Sequence, residues 1–499
     1  MDNQNVSNNM TQQPVQYYGE SDEQKTKRAG VFAFMWLPTI LYAVFYTFCL
    51  YNNFHSITMP LFAAGTVVYC AYALKCFRGC RFKELKLQKM SCFCAIGMFL
   101  LAVSTSMTGN GFVILMNNTG IFCLLVSMLL FEFCTTRGWT LSKGVASVGK
   151  AVIGAVSSIE DPFRDFACFC TKKKNHRARQ VEYVLIGIAI AFPILIVVMI
   201  LLVHADAVFG DLILKIFHLD IAPEKVIGIV LTFVYAVFAS YCGIRYLGKQ
   251  SIEAASKDMR RWEPVIANTI LALVSIVYLL FCFIQIFSLF LGQMQLPEGY
   301  TYARYAREGF FQLLFVCLIN VGLVLFMMGC FKENKIKKIL LIVISACTYI
   351  MIASSAYRLC LYIREYHLTF LRVFVLWMLV LIAVWLGGII VQIYREGFPL
   401  FRYTIVIVTI FVFAFGIAKP DYWIAKYDVA HLTNPQDTYY LSGLSTDAAP
   451  AIAGHKGAWA NYYWGNVSSE FDDDIREFNF SHAGKGALLW QIIVICNQV

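Results

Sequence analysis

The sequence predicts an all-α, polytopic transmembrane helical bundle of about 11 spans with a small extracytoplasmic C-terminal domain. Three observations carry this. Of the 499 residues, 59% are hydrophobic and only 14% are charged, whereas a soluble domain has about 25% charged residues. Apolar runs of about 20 residues recur along the whole chain. Lys and Arg gather in alternate loops, as topogenic charge does.

Residues 1–29 form a polar tail rich in Asn and Gln, ending in Lys25, Lys27 and Arg28. These basic residues hold the start of the first span, about 30–52, in the cytoplasm. No cleavable signal peptide is expected ahead of a full-length span. The second span, about 57–76, leads to a loop carrying Arg78, Arg81, Lys83, Lys86 and Lys89. Spans three and four, about 91–108 and 112–134, are divided by a turn near Thr108 to Gly111, which completes a first group of four over 30–134.

Residues 135–180 read as a basic cytoplasmic loop. Within it Leu141, Val145, Val148, Val152 and Val156 recur at helical spacing, with Lys143 and Lys150 on another face. That pattern predicts a helix lying on the inner membrane surface. The loop closes with Lys172-Lys173-Lys174-Asn175-His176-Arg177-Ala178-Arg179. Such a run is topogenic and attracts anionic lipid. It has neither the interleaved aromatics nor the fold expected of a nucleic-acid site, so none is assigned. Cys168 and Cys170 near His176 make only a lone C-x-C, and neither metal nor cofactor is expected.

Seven further spans fill 181–418, at about 181–203, 225–245, 264–291, 310–330, 339–357, 370–394 and 403–418. Residues 419–499 follow as an extracytoplasmic domain rich in Tyr, Trp, Gly and Asp, in which Asp421 and Asp428 flank aromatics in the manner of an interfacial belt. With the N-terminus inside and the C-terminus outside, inner segments hold 29 of the 41 basic residues and outer ones 12; acidic residues divide 15 to 16. The inner side is therefore net positive and the outer side net negative. The charge asymmetry supports this orientation, and a cytoplasmic (plasma) membrane is the expected location.

The most informative stretch is Phe281 to Phe326, where Tyr300-Thr301-Tyr302-Ala303-Arg304-Tyr305-Ala306-Arg307-Glu308-Gly309 stands between two apolar runs. Ionisable groups at the edge of a bilayer core are costly and are a default place to look for function. Its pattern FxxIQIFSLF followed by LPEGYTYARYAREGFFQLL resembles the bacterial membrane-protein family known as Domain of Unknown Function 4173, and its relative 4153. Leu202 to Phe209, Asp421 to Val429 and Tyr440 to Ala448 fit the same family, so the resemblance spans roughly 180–450. His204 departs from the small polar residue expected there. The resemblance implies an architecture and no activity.

On a helix beginning near Tyr302, Arg304 and Glu308 are spaced to pair and Arg307 lies one turn from Arg304. One reading makes Arg304, Tyr305 and Arg307 interfacial anchors. The other has Arg304 and Arg307 converge with Arg358, Arg364 and Arg372 from the neighbouring outer turn on an anionic group, which the planar guanidinium fork suits. Gln285 and Tyr278 would line the same place. A lipid phosphate or envelope precursor is then the expected ligand, beside membrane lipids generally. The expected role is non-enzymatic: binding, sensing or moving such a component. The alternatives are an enzyme on a lipid-linked substrate, with Asp206 as candidate base, and a structural subunit of a membrane complex. No Ser-His-Asp order, metalloprotease motif or nucleotide loop occurs.

Overall fold

The computed structural model describes residues 21–79, 84, 86–134, 136, 139–172, 187, 191, 195, 198, 202, 223–249, 262–287, 302–432, 435–468 and 475–482. These residues contain no strand; a single bridge joins Trp262 to Phe331. The long helices are α1 (Asp22–Leu50), α2 (Thr58–Arg78), α3 (Lys89–Ser106), α4 (Gly111–Phe133), α5 (Leu141–Ser157) and α6 (Asp161–Lys172). They continue as α7 (Pro223–Lys249), α8 (Pro264–Gln285), α9 (Tyr302–Cys330), α10 (Lys335–Tyr366), α11 (Phe370–Tyr394) and α12 (Leu400–Ile417). Ten of the described helices, α1–α4 and α7–α12, are long and apolar enough to cross a membrane. The protein is an integral, multi-pass membrane protein. The remaining expected span, about 181–203, lies outside the described residues except for 187, 191, 195, 198 and 202, which are helical.

Local sequence starts and stops these helices. Ser21 caps α1 in a reciprocal box with Gln24, and Asn110 Oδ1 accepts the first free amides of α4, those of Phe112 and Val113. Thr140 caps α5 and Asn334 caps α10. Pro264 opens α8 at a position where its missing N–H costs nothing. Gly79, at φ 62°, ends α2 in the left-handed conformation that favours glycine.

Two helix groups share one core. α1–α4 and α7 form the first, α8–α11 the second, and α12 joins them by packing on α3, α4 and α11. Small residues bring these backbones close: Gly97 faces Thr409, Gly120 faces Leu101, and Gly416 lies against Ser104. Among the described residues the α1–α2, α3–α4 and α10–α11 turns meet the C-terminal tail; this is the tail face.

The tail folds as short helices, α13 (Pro420–Ala430), α14 (Pro435–Ser442), α15 (Ala449–Ile452) and α16 (Ala458–Ser468). Ile424, Leu441, Ile452, Tyr463 and Val467 form their own apolar cluster, with Leu368, Phe370 and Val373 of the α10–α11 turn packed against it. Asp421 and Asp428 are both buried, which corrects the belt reading: they are docking groups. Asp428 accepts the amide of Leu368 at 3.0 Å, and Asp421 accepts Asn110 Nδ2 at 2.8 Å. Farther along, Asn479 Nδ2 donates to the carbonyls of His55 (2.5 Å) and Thr108 (3.1 Å), while Ile57 N donates to Phe478 O at 2.8 Å.

The helix expected at 141–156 is α5, and the structure assigns its faces. Leu141, Gly144, Ser147, Ala151 and Gly154 are buried against the bundle. A Cβ on Gly144 would meet the Phe401 ring and one on Gly154 the Tyr246 ring, so small residues are needed to seat the helix. The following helix α6 is fixed by a buried ionic network. Asp165 accepts from Arg245 Nε at 2.6 Å, Arg28 Nη1 at 2.9 Å and Tyr241 at 2.9 Å, and Asp161 pairs with Lys249.

Candidate functional site

The site lies where α8, α9 and α10 meet near the tail face. α10 is 32 residues long, about 48 Å, against a hydrocarbon core of about 30 Å. Its last turns therefore project beyond the core. Arg358 lies eight residues before the helix end, about 12 Å, which puts it about 3 Å inside the core boundary if the helix is centred. Span nine was expected to end at 357, with Arg358, Arg364 and Glu365 in a turn. The helix instead runs to Tyr366, because YRLCLYIRE contains no breaker and keeps its apolar spacing.

Arg358 is buried, with 6% of its surface exposed. Its Nη2 donates to Gln285 Oε1 at 3.1 Å, and the same oxygen accepts Ser354 Oγ at 2.7 Å. Gln285, also buried, is thus a shared acceptor that sets the guanidinium's position from the end of α8. Gly309 makes room on the third side. A Cβ there would sit 2.0 Å from Arg358 Nη1, well inside contact distance. Ser355 Oγ donates to Phe310 O at 3.3 Å and fastens α10 to α9 at this level.

A second polar layer lies deeper. Tyr278 donates to Asn320 Oδ1 at 2.6 Å, and Asn320 Nδ2 donates to Thr348 Oγ1 at 3.0 Å. Tyr278 is seven residues, two helical turns, from Gln285, so the two layers stack along one seam of α8, α9 and α10. Hydrogen bonds of this kind hold membrane helices in register.

The expected residues separate into three groups. Gln285 and Arg358 meet. Arg372 does not join them: its Nη1 donates to the carbonyls of Tyr366 (2.5 Å) and His367, and its guanidinium lies 4.4 Å over the Tyr362 ring. It closes the C-terminus of α10, where four carbonyls lack helical partners, and Arg364 is exposed on the last turn. Neither of these two shares the Gln285 oxygen with Arg358 among the described contacts. Arg304, Tyr305, Arg307 and Glu308 occupy the first two turns of α9, immediately before Gly309, with their side chains outside the described set; Asp206 lies outside the described residues altogether.

Gly309, Ser354, Ser355, Asn320 and Thr348 were not anticipated. For the α10 residues alone a signal was present in Ser345, Thr348, Ser355 and Arg358, whose spacings of three and seven place them on one face of an otherwise apolar helix. Among the described residues no group of three or more His, Cys, Asp or Glu side chains forms a metal site.

No curated protein and no solved structure matches the chain. A family model does, over residues 95–455, and it is that of the relative 4153. The match takes in α3 to α15 and hence the whole site. With most of its length matched, the chain belongs to the family described as Domain of unknown function (DUF4153).

Proposed function

We propose that the junction of α8, α9 and α10 binds an anionic envelope component, a lipid phosphate or phosphate-bearing precursor, at the outer face of a bacterial cytoplasmic membrane. The observation that carries this reading is Arg358: a guanidinium buried at the edge of the membrane core and oriented from a second helix by Gln285. A fixed fork of donors suits phosphate or carboxylate, which it can bind through two hydrogen bonds. Gly309 provides the room that the guanidinium itself occupies, since a Cβ there would sit 2.0 Å from Nη1. The first turns of α9, just before Gly309 in sequence, carry Arg304 and Arg307, which add positive charge to this end of the helix. The N-terminus lies in the cytoplasm and the tail outside, in keeping with the positive-inside distribution of charge.

Ligand-dependent thermal stability tests this. A ligand bound only by the folded protein stabilises it by about 2.7 kcal/mol at one hundred times its dissociation constant. Added phosphatidylglycerol or undecaprenyl phosphate should raise the unfolding temperature of the purified protein, and phosphatidylcholine should not. The Arg304→Ala/Arg307→Ala variant should show a smaller shift. Equal shifts with zwitterionic and anionic lipids would contradict the reading and leave these arginines as interfacial anchors.

A further inference from the structure

On the opposite face, α5, seated on α7 and α4, and the following α6, seated on α1, present apolar side chains that no described part of the chain covers. Val145 is 60% exposed, Ile153 71%, Val156 69% and Phe163 56%. On α5 the spacing Val145, Val152, Val156 puts these side chains along one side, next to Ile153. Lys143 and Lys150, seven residues apart, lie along another side, and the docked glycines, Ser147 and Ala151 occupy the third.

The segment's depth is set by its contacts. Tyr246 and Phe401, against which α5 is seated, stand at the ends of two membrane-crossing helices. The Phe163 ring packs on Phe238 at 5.8 Å. Phe238 lies eight residues inside α7 from Tyr246, about 12 Å toward the bilayer centre. The apolar edge is thus continuous with the lipid-facing surface of the bundle. The ionic network of Asp161 and Asp165 with Arg28, Arg245 and Lys249 holds α6 there, and the close approaches of Gly144 and Gly154 hold α5.

We infer that the α5–α6 segment is a membrane-surface element that inserts Val145, Ile153, Val156 and Phe163 into the adjacent leaflet and engages its anionic headgroups through Lys143 and Lys150. Charge complementarity favours an anionic lipid surface over a protein partner. The two lysines flank the apolar edge, and the sequence after α6 continues as Lys172-Lys173-Lys174-Asn175-His176-Arg177-Ala178-Arg179. An apolar face bounded by Lys is the pattern of helices that lie in the interface, with attraction to anionic lipid added to the buried area. This inference is independent of the anion site at the other face.

The test is photo-crosslinking of the full chain in vesicles of phosphatidylcholine alone or mixed with phosphatidylglycerol. Benzoylphenylalanine is placed at position 153, 156 or 163, and at the fully exposed position 22 at the start of α1 as control. Positions 153, 156 and 163 should yield phospholipid adducts and position 22 few. The adducts should be enriched in phosphatidylglycerol beyond its share of the vesicle, and that enrichment should fall by about fivefold for each of Lys143→Gln and Lys150→Gln. Protein-only adducts, or no adducts, at all three apolar positions would overturn the inference. So would lipid adducts without phosphatidylglycerol enrichment. Three separate positions keep the result readable if one variant fails to fold.

Discussion

Arg358 and Asp421 show how much a single side chain determines here. A buried cation at a membrane edge was a recognisable candidate in the sequence, and so was Gln285, because a polar residue inside an apolar run is conspicuous. Gly309 was not, since its role is to leave space for a guanidinium contributed by a helix forty-nine positions away. Gly309→Ala should push Arg358 off Gln285 Oε1, at a cost of about 1–3 kcal/mol for overpacking. It should therefore reduce anion-dependent thermal stabilisation even though every arginine is kept. A full thermal shift in Gly309→Ala would show that the position of Nη1 does not matter. Asp421 permits a prediction about pH. Burial raises its pKa above the ordinary 3.8, and nearby Asp447 adds to this, against hydrogen bonds from Ser445 and Asn110. The facing groups are Asp447 itself, held by Thr108, Ser481 and Lys419 Nζ at 3.5 Å, and Tyr440 from α14. A carboxyl whose folded pKa is raised stabilises the fold fully below 3.8 and loses that contribution as pH rises through the folded value. Tail docking, followed by limited proteolysis, should weaken as pH rises from 3.8, and Asp421→Asn should flatten that dependence. An unchanged profile in the variant would assign the titration elsewhere.

At the scale of elements, hydrophobic length and capping residues made the helices legible, whereas their ends depended on packing. α10 continues past the expected stop at 357 because its sequence there holds no breaker, and Arg372 from α11 satisfies its terminal carbonyls. The amphipathic pattern of α5 was visible. Its docked face was not, because that face is formed by Gly144, Ser147, Ala151 and Gly154 and not by large apolar residues. The anchor of α6 was equally invisible: Asp161 and Asp165 look like ordinary loop charges until α1 and α7 bring Arg28, Arg245 and Lys249 to them. Removing one partner from a buried ionic network costs about 3–5 kcal/mol. Asp165→Ala should accordingly speed hydrogen exchange throughout α6 while leaving α8 to α11 protected. Uniform deprotection of all helices would mean that the network supports the whole bundle and not α6 alone.

The whole molecule is a bundle with two different faces. One carries the basic α5–α6 segment, the other the tail and the arginine site, and α12 connects the two helix groups before delivering the chain to the tail through Lys419, whose φ of 49° makes the sharp turn into α13. Alternation of basic loops predicts which face is the inner one, an expectation that rests on charge counts alone. Which arginines meet was not readable, because that depends on helix rotation and on contacts between segments far apart in sequence. The central claim is that Arg358 holds an anionic group between α8, α9 and α10. Native mass spectrometry of the protein released from its own membrane, wild type beside Arg358→Gln, tests it most directly. In the variant Gln285 Oε1 keeps its hydrogen bond from Ser354, so the helices retain a tie at this level. The account predicts a phosphate-bearing adduct on the wild type that is absent from the variant. The same adduct at equal occupancy on both proteins would contradict it.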